Sequence, residues 1–276
     1  MINVSIVTYY TPVTFLKRCI ESLRSFNNVD TIFVIDNSPE EFSKDFSADY
    51  DCFYLWNPSN SGYGAGHNIA IRKSIERGAD FHIVVNADTY FEDDVIGVLF
   101  KEMSNDATLG LCAPDITDEC GRRQFLAKAA PTPGDFLIRL IGPRWLQDNR
   151  AEKFQFLEFR DNVNIYAPYQ SGCFMFFRVA ALKDVGLFDE RFFMYPEDID
   201  ISRRIAEKWK VKSTSKCSLV HLHNAESKRN LRMLFVHILN MIKYFNKWGW
   251  IFDKRRVRLN KMAFDLNFME RNSGSR

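Results

Sequence analysis

"FHIVVNAD", residues 81–88, is a nearly unbroken apolar run that ends in Asn86, Ala87 and Asp88. A strand with one wet face would alternate polar and apolar residues. A short continuous run rich in β-branched residues instead reads as a strand covered on both faces. The same pattern recurs on either side of it. "VSIVTY" (4–9), "TIFVID" (31–36), "CFYLWN" (52–57) and "LGLCAP" (109–114) read as strands. Between them lie helical stretches. "TFLKRCIESLRSF" (14–26) puts Phe15, Cys19, Ile20 and Leu23 on one face, and two more run from about Ala65 to Arg77 and from about 92 to 104. Apolar strands alternating with helices predict an α/β fold with a mostly parallel central sheet flanked by helices.

Residues 115–168 break this rhythm with "PTPG", "GPR" and charged stretches, and read as long excursions rather than an independent domain. The strand signal returns at "YQSGCFMFFR" (169–178). It is followed by a short helix, an acidic cluster, a helix through about Lys208, and "SLVHLHN" (218–224). Residues 226–268 are helical, aromatic and basic. The expected organisation is therefore one unit over 1–225, with halves 1–115 and 116–225, and a helical basic C-terminal extension over 226–276.

Bulk composition is that of a globular chain: 276 residues, 46% hydrophobic, 26% charged and a formal net charge of +2. Such a balance points to no particular partner, and nucleic acid is not expected. Six scattered cysteines with no C-x-x-C pair argue against a zinc site or redox motif and suit a reducing compartment. "MINVSIVTYY" has neither a basic leader nor a long apolar stretch, so a signal peptide is not expected. No uninterrupted apolar window of about 18 residues is present, so a spanning helix is not expected either.

In an open α/β sheet, ligands bind beyond the carboxyl ends of the strands. Those ends carry Thr8-Tyr9-Tyr10, Asp36-Asn37, Asn57 and Asn86-Ala87-Asp88. Either aspartate alone could simply cap a helix or start a turn. Two of them beside the glycine-rich "SNSGYGAGHNIAI" (59–71) favour a polar site. That loop opens a helix and could receive phosphate, or it could be a flexible connection. Its glycines are spaced G-x-G-x-G, which fits neither a dinucleotide fingerprint nor a P-loop. Asp88 could hold Mg2+ or Mn2+ that in turn holds a diphosphate. His221 and His223 alternate on a strand-like run and so share a face; each could be structural, or one could reach the metal or phosphates. Tyr63, His67 and the 170–173 loop are expected to shape the pocket.

The cluster in "MYPEDIDISRRI" (194–205) sits at an expected helix start, with Pro196 at the first helical position and Glu197 and Asp198 in the first turn. Acids there can be mere decoration of the helix dipole, or a working base.

Taken in order, "VSIVTYY", "VIDNS", "NSGYGAGHNIAI", "VVNAD", "SGCFMFFRVAALKDVGLFDERFFMYPEDIDISRR" and "VHLHNAESKRN" resemble the family 2 inverting glycosyltransferases of GT-A fold. Within them, the chain is most similar to the rhamnosyltransferase-like enzymes of bacterial surface polysaccharide synthesis. The resemblance covers about residues 3–230. It implies transfer of a sugar, best matched by rhamnose, from a dTDP- or UDP-sugar to a glycan acceptor that is lipid-linked, with a divalent metal, Mn2+ or Mg2+, as cofactor. Thr8, Tyr9 and Asp36 would hold base and ribose. Asn60, Gly62, Gly64, Asn68 and Ala87 would line the donor. Asp88 would be the metal carboxylate, with His221 or His223 nearby. Gly172 and Cys173 would border sugar and acceptor, Asp198 would be the base, and Glu197 its support. Arg204 would face the diphosphate or pair with carboxylates, and Asp200 would pair with Arg203 or Arg204. Residues 1–115 become the nucleotide half and 116–225 the acceptor half. One departure stands out: the first acid of the family's Asp-x-Asp is Asn86 here, so Asp88 alone can carry charge from that motif.

Two rival readings share parts of this pattern. A nucleotidyltransferase would carry a glycine-rich basic loop after the first strand, and "TYYTPVTFLKR" has no glycine. A non-catalytic nucleotide-sugar binding module would leave the acidic cluster purely structural.

The tail has its own signal. Residues 228–261 hold ten Lys/Arg against the single acid Asp253. The apolar positions 231, 234, 235, 238, 239, 242 and 245 follow helical spacing and could pack on the main unit. "KWGWIFDKRRVR" adds tryptophans beside a basic run, which suits an anionic membrane surface. The expectation is peripheral attachment to the inner face of the cytoplasmic membrane through 243–261.

Overall fold

The structure, a computed structural model, describes residues 1–26, 28–222 and 231–273. His223 lies outside the described residues, as does the expected boundary at 225. In chain order the elements begin β1 (Ile2–Thr8), α1 (Val13–Arg24), β2 (Thr31–Asp36), α2 (Lys44–Asp49), β3 (Phe53–Trp56), α3 (Tyr63–Glu76) and β4 (Phe81–Asn86). Then follow β5 (Thr89–Tyr90), α4 (Val95–Asn105), β6 (Leu109–Thr117), β7 (Arg123–Gln124), α5 (Pro133–Ile141), α6 (Arg144–Phe154) and β8 (Asn164–Tyr166). The chain continues through β9 (Phe174–Arg178), α7 (Val179–Val185), α8 (Glu197–Ala206), β10 (Lys210–His221), α9 (Leu231–Trp248) and α10 (Lys254–Ser273).

One sheet runs through the molecule in the order β3-β2-β1-β4-β9-β6-β10-β5, with β7 beside β6 and β8 beside β10. The first four strands are parallel, as the unbroken apolar runs predict. β9 then enters antiparallel between β4 and β6, so the complete sheet is mixed. "FMFFR" shows why it belongs in the centre. Phe174 and Phe176 face one apolar layer, and Met175 and Phe177 face the other. The first layer joins Ile6, Ile83 and Val85 to Leu16 and Ile20 of α1 and Leu99 of α4. The second joins Val84 and Leu111 to Ile71 of α3, Leu182 of α7 and Ile201 and Ile205 of α8. Helices thus cover both faces, and the strands' carboxyl ends meet along one edge.

Beneath α3 runs a buried polar chain. Asn3 Nδ2 donates to Ser74 Oγ at 3.0 Å, and His82 bridges Ser74 Oγ and Ser5 Oγ at 2.8 Å each. Ser5 Oγ in turn meets His67 Nδ1 at 2.7 Å. Burial pushes the His82 imidazole down to about 3 and holds His67 well below its usual range. His67 is therefore a core residue; the expectation that it shapes the pocket is corrected.

The C-terminal helices are docked on the main unit. Met241, Tyr244 and Phe245 of α9 bury against Phe192 and Ile199. Arg203, fully buried, holds both carboxylate oxygens of Asp253 at 2.6 Å, donates to the Tyr244 hydroxyl oxygen at 3.2 Å and lies 3.9 Å from the Trp248 ring centroid. Part of "KWGWIFDKRRVR" is therefore interior: Asp253 and Arg256 are buried, while Trp250, Ile251 and Phe252 project outward. On α9 the expected stripe splits as well. Phe245 is inside, but Leu231, Phe235, Leu239 and Ile242 are exposed. Among the described residues no helix is long and apolar enough to cross a membrane.

Candidate active site

Two clusters face each other across the sheet edge. The first follows β4. There the Asp88 Oδ1 and the Asn86 Nδ2 each lie 3.4 Å from His221 Nε2. The β10–β5 pairing, which sets His221 opposite Thr89, brings the imidazole from a strand far away in sequence. Among the described residues no group of three or more His, Cys, Asp or Glu gathers as a complete metal cage. One carboxylate and one imidazole nevertheless form a partial set of the kind that a substrate diphosphate completes around a divalent cation.

The second cluster is the start of α8. Asp198 Oδ2 accepts the Gly172 amide at 3.1 Å and Oδ1 accepts the Ile199 amide at 2.8 Å. A Cβ on Gly172 would lie 3.3 Å from Asp198 Cβ and 3.4 Å from Tyr63 Cε1, so this approach is made for a residue without a side chain. Tyr63 joins the clusters: its hydroxyl is 2.8 Å from Asn86 Oδ1 and 2.7 Å from the Gly172 carbonyl.

The paired acids are not equivalent. Burial, with the Asp198 charge adding to it, lifts the Glu197 carboxyl well above the usual range. Burial also raises Asp198, but backbone amides from Gly172 and Ile199 and the Lys128 ammonium pull it back. Glu197 is buried, packs on Gly64 and has Oε2 without a hydrogen-bond partner. Its carboxyl is therefore interior rather than open to a ligand. Asp198 remains partly exposed. Pro196 precedes α8 instead of occupying its first turn, and the Tyr195–Pro196 bond is cis. Asp200 is fully buried, held by Arg204 at 2.8 Å, Lys247 at 2.7 Å and the Trp248 indole at 2.8 Å.

Several expected donor residues have other work. Arg204 spends its remaining donors on the carbonyls of Val185, Gly186 and Leu187 at 2.6–2.9 Å, so it fastens that turn and does not face a diphosphate. A Cβ on Gly62, at φ 104°, would lie 2.2 Å from the Phe193 carbonyl, and one on Gly64 would lie 2.9 Å from Phe188 Cβ. The first amide of α3, Tyr63 N, donates to that same Phe193 carbonyl at 2.9 Å. Asn68 binds the Phe188 carbonyl at 2.9 Å, the Phe188 amide at 3.0 Å and Glu190 at 2.9 Å. The glycine-rich loop therefore receives the segment 188–197 and fixes where α8 begins, and its first helical amide is not open to a phosphate. Asn60 sits at positive φ in the turn before it.

Asp36 is also interior. Its oxygens accept the Ser38 amide at 3.0 Å and the Ser43 amide and Tyr54 hydroxyl at 2.9 Å each, and Thr8 is buried beside Ser43. These two residues build the loop that carries the exposed Tyr9, Tyr10 and Phe42, whose rings meet edge to face at 5.1 and 5.4 Å. Sequence reasoning chose Tyr9 but not Phe42, which no motif marks. Ala87 and Cys173 are buried at the strand ends, and burial lifts the Cys173 thiol to about 12.

The sequence matches glycosyl transferase family 2 over residues 4–186. The chain belongs to that family. The match ends just before the acidic segment, so the placement of Asp198 rests on geometry. It is 26% identical over 179 residues to a low-salt glycan biosynthesis hexosyltransferase, Agl10, of Haloferax volcanii, covering 64% of this chain and 54% of that one. It is 29% identical over 164 residues to an N-acetylglucosaminyl-diphospho-decaprenol L-rhamnosyltransferase of Mycobacterium tuberculosis, covering 54% and 51%. The chain thus spans about half the length of these curated relatives. A mannosyltransferase of Pyrobaculum calidifontis, solved with GDP-Man and Mn2+, superposes with a TM-score of 0.58 at 13% identity, covering 99% of this chain and 74% of that one. At that identity the likeness concerns the GT-A fold alone.

Proposed function

We propose that this protein transfers a sugar, best matched by rhamnose, from a dTDP- or UDP-sugar to a lipid-linked glycan acceptor, with inversion, in O-antigen- or capsule-type polysaccharide synthesis. The observation that carries the reading is Asp198, a partly exposed carboxylate aimed by two backbone amides and joined through Gly172 and Tyr63 to the Asp88–His221 end. Asp198 takes the proton of the attacking acceptor hydroxyl; that oxygen bonds the anomeric carbon as the carbon–oxygen bond to the diphosphate breaks. A carboxylate raised by burial is a stronger base than a free aspartate. Asp88 and His221 would hold the divalent cation, which supplies positive charge against the leaving diphosphate. Tyr63 and Gly172 fix the distance between the two ends, and the Tyr9–Tyr10–Phe42 ledge offers the base an aromatic surface.

Incubation with nucleotide sugars and Mn2+ or Mg2+ tests this reading by release of nucleoside diphosphate. A requirement for a nucleoside triphosphate with release of pyrophosphate would make it a nucleotidyltransferase, and binding without any release would make it a binding module.

Within the same reading the protein works on the inner face of the cytoplasmic membrane. The surface that supports this differs from the one expected from sequence: Leu231, Phe235, Leu239 and Ile242 line one side of α9, and Ile251 and Phe252 project from the turn before α10, near the basic Lys254, Arg255 and Arg258. Co-sedimentation with anionic vesicles at low salt, lost on neutral vesicles, is the expected result; equal behaviour on both would exclude the attachment.

A further inference from the structure

The Tyr63 hydroxyl oxygen lies 2.8 Å from Asn86 Oδ1 and 2.7 Å from the Gly172 carbonyl oxygen. A phenol carries one proton, so it cannot serve two acceptors at once. The other end of the Asn86 side chain meets the same difficulty. With its amide group toward His221 Nε2 at 3.4 Å, that nitrogen has to present a lone pair, yet Asp88 Oδ1, also at 3.4 Å, requires a hydrogen from it. A single 180° rotation of the Asn86 carboxamide removes both conflicts, and its oxygen and nitrogen are close enough in size to exchange places. Asn86 Nδ2 then donates to the Tyr63 oxygen, the Tyr63 proton goes to the Gly172 carbonyl, and Asn86 Oδ1 accepts from His221 Nε2–H. A cation at Asp88 would favour the same orientation, because it attracts the carbonyl oxygen and repels the amide hydrogens.

This chain of donors ends at the base. Gly172 has no Cβ to restrict its backbone, so its conformation is set by what holds it. Its amide donates to Asp198 Oδ2 at 3.1 Å, and its carbonyl takes the Tyr63 proton. The next carbonyl, that of Cys173, accepts the Asn86 backbone amide at 2.9 Å. Asn86 therefore reaches the 172–173 turn through both its main chain and its side chain. Tyr63 is itself held in place, with its ring edge-on to the buried His67 at 4.4 Å and its amide on the Phe193 carbonyl. An ionised carboxylate at position 86 would offer acceptors only.

We propose that Asn86 is a positioning residue for the base: it donates to Tyr63, Tyr63 donates to Gly172, and the Gly172 amide holds Asp198. The asparagine that stands in place of the first acid of Asp-x-Asp is then part of how the site is built, because a group that both donates and accepts is needed between Tyr63 and His221. This rests on the reading of Asp198 as the base and deepens it by naming what fixes that carboxylate.

The test is Asn86→Asp, which keeps the shape and adds a second carboxylate beside Asp88. The Tyr63 proton should move to that carboxylate, the stronger acceptor, and abandon the Gly172 carbonyl. The kcat should fall about tenfold or more, while affinity for UDP with Mn2+ holds or rises. Tyr63→Phe should lower kcat by a similar factor, and the double variant should stay within about twofold of Tyr63→Phe alone. Glycine-selective 15N labelling reads the same chain without turnover. The Gly172 amide resonance, assigned by its loss in Gly172→Ala, should shift in Asn86→Asp and in Tyr63→Phe. The remaining glycine resonances should stay dispersed, which reports that both variants are folded. A Gly172 resonance unmoved by Asn86→Asp, or a kcat for that variant at or above wild type, would overturn the role. Multiplying losses in the double variant would put Asn86 and Tyr63 on separate paths and overturn the chain between them. Weaker binding of UDP with Mn2+ at an intact kcat would assign Asn86 to the donor instead. Failure of the wild type to release nucleoside diphosphate would sink the transferase reading, and the Gly172 resonance would still decide the hydrogen-bond chain.

Discussion

Helix α3 begins at Tyr63 under cover, while helix α8 begins at Glu197 with one carboxylate in the open. The two starts press on each other. The Tyr63 amide meets the Phe193 carbonyl at 2.9 Å, and Gly64 lies against Phe188 and Glu197. By sequence both look like ligand sites, one glycine-rich and one acidic. By geometry the first is a socket for the second. The glycines of α3 let the segment 188–197 come close enough for Asp198 to reach the Gly172 amide. A helix start can bind an anion only when its amides are free, and here a neighbouring carbonyl has taken the first of them.

The largest effect should come from the open start. Asp198→Asn keeps the shape and one of the two backbone contacts, through its single carboxamide oxygen, but removes the basicity. Transfer should fall about 10²–10⁴-fold, with thermal stability and nucleotide affinity close to wild type. A folded Asp198→Asn variant that retains more than about a tenth of wild-type transfer would remove Asp198 as the base.

The next breaks the socket. Gly62→Ala places a Cβ at positive φ and 2.2 Å from the Phe193 carbonyl, so the segment leading into α8 must move. Displacing Asp198 by an ångström should lower kcat by about 10²-fold. Nucleotide affinity should barely change, since the first amide of α3 is already taken by the Phe193 carbonyl. A matched loss of nucleotide affinity with kcat intact would restore the phosphate-loop reading and dissolve the contrast between the two helix starts.

Asn68→Ala is milder because it removes a clamp without adding a clash. The hydrogen bonds to Phe188 and Glu190 disappear, and the two buried backbone groups of Phe188 lose their partner. A loss of about 1–3 kcal/mol in denaturant unfolding is expected. Transfer should fall less than in Gly62→Ala, because the segment loosens around its old position.

Much of this was legible beforehand, and the part that was not has a common cause. Strand runs such as "FHIVVNAD" and "TIFVID" fixed β4 and β2 to within a residue or two, because burial on both faces leaves an unbroken apolar record. The antiparallel entry of β9 left no record, since a central strand looks the same in either direction. Asp88 lies just past the end of β4 and Asp198 in the first turn of α8. Asp36 has an equally suggestive position, yet three donors from its own loop and from Tyr54 enclose it. Whether a strand-end carboxylate faces inward or outward depends on residues 38, 43 and 54, which no local pattern links to it. The same holds for Arg204, whose carbonyl partners at 185–187 carry no side-chain signature.

The smallest effect separates the two acids of the α8 start. Glu197 is lifted well above the ordinary glutamate range, first by burial and then by Asp198, so the folded protein retains its proton where the unfolded chain does not. A raised carboxyl of this kind contributes stability that is full below the unfolded value and fades as pH rises through the folded one. Gln is a neutral mimic of that protonated side chain at every pH. Glu197→Gln should therefore match wild type in acid and gain stability on the order of 1 kcal/mol or more by pH 8. Its transfer rate at neutral pH should stay within about threefold of wild type, because the proton of the acceptor goes to Asp198. Chemical unfolding at pH 5 and pH 8 checks the sign: a variant less stable at pH 8 than at pH 5, relative to wild type, would mean that Glu197 is ionised in the folded state. In that case the two acids of this helix start would share one role, and the division of labour between them would be lost.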